Sequence, residues 1–439
     1  MDIQLPKLLL GHGLIYNYLC NSYGKGFAKD YLEANEQAIK NIYEIIENEK
    51  IKCDFEYENS YIYTDKQDEI INIKDEVNSL NNIGFNANYV TKTSLPFNIL
   101  GAIQYKNQAS FHPLKYLLGL CKSITNNDGQ IFTNSLVTDV KNDNNIFYTY
   151  VNGKIVKSKY VIIASHFPFI NIPGFYFTKM YQSTSYIIAA DIRQKPFSGM
   201  YINVSDPIYS FRHVKIDGKN LLLVGGGNHK TGYSTSYNET YKTLENKLKS
   251  IYPNAEVLYR WNTRDCMTLD KIPYIGRYSN IIENMYIGTG FNKWGMTTSN
   301  VAANIIKDMI LKKENKYAYV FDSTRIKPIK NRKELKNIIV QSVDSLFIDK
   351  IKNSTINFEN INNNSGGIVN VNGQKVGIYK DSTGNIFAVN PICTHLGCLL
   401  SWNDIDKTWD CPCHGSRFDF MGKNIYDPAF KNLEIYNLD

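Results

Sequence analysis

The runs Cys393-Thr394-His395-Leu396-Gly397-Cys398 and Cys411-Pro412-Cys413-His414-Gly415-Ser416 restrict the fold of their surroundings more than any other feature of the chain. Each run offers a Cys and a His close enough together to reach one small inorganic centre. Two thiolates on one iron and two imidazoles on a second make a binuclear iron–sulfur (2Fe–2S) site. By motif order, Cys393 and Cys411 take one iron, and His395 and His414 the other. Thiolates donate strongly and favour ferric iron. Neutral imidazoles donate less, so the mixed set raises the potential above that of an all-cysteine cluster. Tetrahedral zinc is the alternative, since two Cys and two His satisfy it as well. Against zinc, Cys-x-His is tighter than the usual knuckle, and Cys398 and Cys413 are left without a use.

The strings CTHLGC and CPCHGSRFD resemble the Rieske proteins of cytochrome bc-type complexes. That resemblance implies a disulfide between Cys398 and Cys413, clamping the two cluster loops. It also implies a hydroxyl donor to a cluster sulfide at Ser416. The family's second donor, a tyrosine, is Phe418 here, so a potential below that of respiratory members is expected, within ~−150 to +300 mV. Asp427-Pro428-Ala429 resembles the proline loop over the cluster, although a surface loop fits it equally. Rieske oxygenases lack the extra cysteine pair and place the cluster domain first, so the resemblance implies an electron relay.

A chain of 439 residues is too long for this unit alone, and roughly two to three domains are expected. The expected division is residues 1–325, a linker over 326–356 rich in Lys and Asn, and an all-β cluster domain over 357–439. The net charge of +7 is spread over lysines interleaved with acids, which excludes a nucleic-acid arm. Cys20, Cys53, Cys121 and Cys266 are widely separated and read as buried free thiols. No apolar run approaches the ~18 residues of a membrane span, and 8–19 make a poor signal peptide. A cytoplasmic location without a transmembrane segment is expected.

Apolar residues near helical spacing predict a helix from Lys25 to about Glu49, and Pro113 opens a shorter one over 114–123. Lys159–Ala164 reads as a buried strand, and 186–224 as several antiparallel strands. The strand Met285–Ile287 runs through Gly288-Thr289-Gly290-Phe291-Asn292-Lys293-Trp294-Gly295-Met296 into a helix from Thr297 to about Leu311. Such a turn brings backbone N–H groups and a positive helix end to an anionic ligand. A plain strand–helix turn is the competing reading.

Together with Trp261–Asp265, Asp270–Gly276, Gln108–Tyr116 and Ser165–Phe169, this turn resembles the D-amino-acid oxidase-like, FAD-dependent oxidoreductases. One bacterial subfamily of these carries a C-terminal Rieske domain. The resemblance implies an α+β/α/β flavoprotein domain with an antiparallel substrate sheet. It places Val137 at the adenine, Ala164 beside the ADP portion, and Gly290, Trp294, Gly295 and Met296 against the flavin ring. Lys293 lies nearby, and His229 and Arg212 are the other weak catalytic candidates. Gly225–Gly232 fails as a dinucleotide fingerprint, because Lys230 holds the third glycine's place, and reads as a tight turn.

That family opens with a strand, GxGxxG and a helix, followed by an acidic residue about 20 positions on. The sequence given shows no such run, so an N-terminally truncated flavin domain with FAD binding in question is the expectation. The intact architecture implies an enzyme that oxidises a small amine- or amino-acid-like substrate and passes electrons through the cluster to an acceptor. A non-catalytic electron carrier, or an inactive product lacking FAD, is the alternative.

Overall fold

The computed structural model describes residues 7–194, 196–216, 219–233, 237–325 and 358–438. The proposed linker, 326–356, lies outside the described residues. Helix Lys25–Asn48 buries Ala28, Tyr31, Ala38, Ile42 and Ile46 along one stripe, which packs on helix Gly295–Ile310. A shorter helix, Ile15–Tyr23, precedes it. The buried Glu76 carboxylate accepts from the backbone N–H groups of Tyr16 and Asn17, at 2.8 and 2.7 Å. It satisfies donors that the first turn leaves open. Burial nonetheless pushes the Glu76 carboxyl up to about 7. Among the described residues, no helix is long and apolar enough to cross a membrane.

The largest sheet runs Lys7–Leu8, Gly101–Ser110, Glu56–Thr64, Met200–Asn203, Tyr209–Ile216, Lys219–Lys230, Met180–Asp191, Glu256–Thr268, with Asn88–Val90 off this path on Gly101–Ser110. It is mixed rather than purely antiparallel, because Met200–Asn203 pairs parallel with Glu56–Thr64. Gly225–Lys230 lies within strand Lys219–Lys230, with a register shift between Gly226 and His229, and only the end of the segment turns, where Tyr233 N–H donates to the Lys230 carbonyl at 3.1 Å. A Cβ on Gly226 would sit 2.3 Å from the Ile208 carbonyl oxygen, so glycine there serves close strand approach.

A second sheet joins Tyr274–Arg277, Met285–Thr289 and Val161–Ile163, the last two parallel. The expected buried strand at 159–164 is shorter, and Ile162 is 49 % exposed. Val161–Ile163 is an edge, paired only with Met285–Thr289 among the described residues, so one side of it faces no strand.

Residues 358–438 form two small antiparallel sheets, one of three strands and one of four. The hairpin at Asn372-Gly373 uses φ of 51° and 83°, the twist that two-residue β-turns require. Trp409 is fully buried, 4.7 Å from Trp402, and its core includes Ile368, Val389 and Phe418.

Candidate cluster and flavin site

The two Cys/His runs fold as matching tight loops. Cys393 N–H donates to the Cys398 carbonyl and Gly397 N–H to that of Cys393, at 2.8 and 3.0 Å. Cys411 N–H donates to the Ser416 carbonyl and Gly415 N–H to that of Cys411, at the same distances. Gly397 and Gly415 take φ of +77° and +82°, a region where a side chain costs energy. A disulfide joins Cys398 to Cys413, and the free thiols of Cys393 and Cys411 are buried in the same core. The His395 and His414 rings lie edge to face at 5.0 Å. Both Nδ1 atoms are buried without a hydrogen-bond partner.

Buried imidazole nitrogens are seldom left unpaired, so two thiols beside two orphaned nitrogens suit a bound metal centre. The Cys398, Cys411 and Cys413 sulfurs also lie within 4.8 Å of one another. Two of these are locked in the disulfide, so that trio cannot supply three thiolates.

Ser416 is fully buried, and its hydroxyl oxygen accepts from Ala429 N–H at 2.9 Å. Phe418 is fully buried in the same core as the four cysteines of the loops. Phe418→Tyr is expected to raise the cluster potential, because a donor to cluster sulfur favours the reduced state. A bond worth about 1 kcal/mol corresponds to about 40 mV, since tenfold is about 59 mV for one electron. Redox titration of both proteins checks this; an unmoved or lowered potential would refute it.

The loops abut the larger region. A Cβ on Gly415 would come 2.1 Å from Gln182 Oε1, and one on Gly232 would come 2.7 Å from Pro412 Cα. His414 and Cys413 line a cavity of about 1080 Å³ together with Trp294, Lys293, His229 and Met180. The glycine turn enters it from strand Met285–Thr289. Gly290 has φ +70°, and Asn292 and Lys293 hold φ of 50° and 74° without being glycine. Such backbone strain persists only where surroundings fix it. Here Asn292 Oδ1 accepts from Thr268 N–H at 2.7 Å.

Lys293 Nζ donates to Ser185 Oγ at 2.7 Å. Burial lowers the Lys293 ammonium and raises the neighbouring Asp265 carboxyl, each opposed by the other's charge. His229 Nε2 meets Tyr186 Oη at 2.8 Å, and burial lowers its imidazole. The Trp294 ring stacks on His12 at 4.9 Å.

Other expected residues stand apart from this cavity. Arg212 is buried in strand Tyr209–Ile216, where burial lowers it to about 10, and does not line the cavity. Gly290, Gly295 and Met296 shape the turn behind it. Val137 begins a hairpin strand, and Ala164 is exposed just past Val161–Ile163; neither lines the cavity. Sequence reasoning missed Asn171 and Phe177, which no local pattern marks, and took Phe167 only as part of the Ser165–Phe169 run; all three touch the cluster loops from the larger region.

The fold and site define an FAD-dependent oxidoreductase body carrying a Rieske unit. The chain belongs to the FAD-dependent oxidoreductase (DAO) family, which matches residues 11–309, and its end matches the Rieske [2Fe-2S] domain over residues 355–437. It is similar to the Rieske 2Fe-2S iron-sulfur protein YhfW of Bacillus subtilis (strain 168). The two are 34 % identical over 433 residues, 99 % of this chain and 85 % of that protein. Cytochrome b6-f complex iron-sulfur subunit 1 of Nostoc sp. is 45 % identical over 49 residues, 11 % of this chain and 27 % of that one. Glycine oxidase from Geobacillus kaustophilus shares the fold, with TM-score 0.58 and 14 % identity over 67 % of this chain and 83 % of that one.

The chain is thus an oxidoreductase, and its two parts imply FAD and a 2Fe–2S cluster. The cavity behind Trp294 and Lys293 has the volume and walls for a flavin ring. A glycine-rich phosphate cradle is not among the described residues.

Proposed function

We propose that this protein oxidises a small amine- or amino-acid-like substrate in the cavity beside Trp294, Lys293 and His229 and delivers the electrons through the cluster site to a separate acceptor. The observation that carries this reading is the position of His414, which lines the same cavity as the flavin-side turn. When bound, the flavin supplies two-electron chemistry and the cluster one-electron chemistry. In this assignment Cys393 and Cys411 hold one iron, and His395 and His414 the other. Trp294 and Asn292 wall the ring end, and Lys293, fixed by Ser185, sets positive charge against it. Lys230, Lys271 and Lys293 outnumber Glu69 along the lining, which favours a substrate bearing a carboxylate. His229 has both ring nitrogens engaged, Nδ1 donating to the Lys230 carbonyl and Nε2 paired with the Tyr186 hydroxyl, so it serves as a fixed, neutral wall of the cavity.

Quantifying iron, sulfide and flavin per chain in protein purified anaerobically tests this. Flavin and cluster absorption together, both bleached by one amine or amino acid from a panel, is the expected result. Cluster bands without flavin would overturn it in favour of a simple electron carrier, and colourless protein would remove both roles.

A further inference from the structure

Both imidazoles of the cluster site turn toward one short segment of the oxidoreductase body. His395 Nε2 lies 3.0 Å from Asn171 Oδ1. The His414 ring lies 5.6 Å from that of Phe167 and 6.0 Å from that of Phe177. The segment is held from several sides. Tyr278 Oη donates to the Ile170 carbonyl, Ser165 Oγ to that of Phe167, and Thr289 Oγ1 to that of His166. Phe175 N–H closes a turn on the Asn171 carbonyl at 2.9 Å. Phe167 is fully buried. These ties make residues 165–178 a frame rather than a loose loop.

We propose that Asn171 is a positioning residue for the cluster: its amide oxygen takes the outer N–H of His395 and lowers the cluster potential while the two regions are docked. This rests on the ligand assignment proposed above. With Nδ1 on iron, Nε2 carries the proton and donates, so Asn171 presents its oxygen and not its nitrogen. An acceptor on the outer N–H makes an imidazole a stronger donor to its metal. Ferric iron draws more density from the ring than ferrous iron, so the N–H is the better donor, and the bond the stronger, in the oxidised state. Asn171 therefore opposes Ser416, whose hydroxyl favours the reduced state. Linkage makes the effect reciprocal. If docking favours the oxidised cluster by some factor, arrival of an electron weakens docking by that same factor. The reduced unit is then the one more ready to leave the body and meet an acceptor.

The test is an EPR-monitored redox titration of full-length, cluster-loaded wild type, Asn171→Leu and Asn171→Asp. Asn171 is half-buried, so both near-isosteric variants are expected to fold. Leucine removes the acceptor and should raise the potential by about 59 mV, a tenfold change for one electron. Aspartate strengthens the acceptor and should lower it. Potentials that stay at the wild-type value, or move in the same direction in both variants, would overturn the proposal. A wild-type spectrum lacking a mixed Cys/His 2Fe–2S signal would instead refute the ligand assignment beneath it.

Discussion

Cys411→Ser is expected to leave a protein that retains no cluster iron or acid-labile sulfide, while its flavin content stays at the wild-type level. Cys411 is fully buried in the same core as Cys393. A serine hydroxyl at this position stays protonated near neutral pH and is a poor ligand for iron, which here takes thiolate. The flavin-side turn is a separate element, so loss of the thiolate has no route to it through covalent structure. Cys398→Ser is the informative companion. It spares the four proposed ligands and breaks only the clamp, which closes a separation of 15 residues and is worth about 3 kcal/mol in chain-entropy terms. That variant should bind iron on reconstitution and lose it faster than wild type. Iron, sulfide and flavin assays check both variants. Full iron retention in Cys411→Ser would remove Cys411 from the ligand set, and a cluster lost equally in both would point to the clamp rather than the ligands.

The cluster loops were legible because their chemistry is local. Cys393, His395, Cys411 and His414 fall within two short runs, and the glycines that permit each turn stand beside them. Helix Lys25–Asn48 was equally plain, since its buried stripe repeats at helical spacing. Other features depend on partners distant in sequence. Strand Val161–Ile163 reads as buried from its Val-Ile-Ile, yet it forms an edge with Ile162 exposed. The glycines at 225–227 look like a turn, but they thin a strand so that Ile208 and Thr240 can approach. Asn171 carries no motif, and its contact with His395 spans 224 positions. Arg212, a catalytic candidate from the sequence, is buried in the sheet away from the cavity. Candidate residues were readable where they are neighbours in sequence and unreadable where the fold alone brings them together.

Asp410→Asn is expected to cost the cluster region about 3 kcal/mol at neutral pH, the low end of the penalty for breaking a buried ion pair, because Arg417 keeps Asp406. Asp410 is 1 % exposed. Arg417 donates to both of its oxygens, Nε to Oδ1 at 2.8 Å and Nη2 to Oδ2 at 3.0 Å. Asn403 and Thr408 supply further donors at 3.1 and 2.8 Å. Arg417 also reaches Asp406 at 2.8 Å, and Asp406 accepts from Asn262 of the oxidoreductase body at 2.8 Å. Losing the carboxylate therefore disturbs both the strand pair that carries Cys411 and the contact between the two regions.

The pH dependence has a definite sign. Burial pushes the Asp410 carboxyl up, but Arg417 and then Arg264 more than offset it and hold it below the ordinary 3.8. A carboxyl depressed in the folded state contributes stability that is present above its unfolded value and lost as pH falls through the folded one. The melting temperature of Asp410→Asn should thus lie at least about 10 °C below wild type at pH 7, and the gap should begin to narrow below about pH 4, where the unfolded chain's carboxyl protonates, and close as pH falls toward the lower folded value. Thermal melts of both proteins across that range decide it. A gap that stays constant down to pH 3 would mean that shape, not charge, is what Asp410 provides.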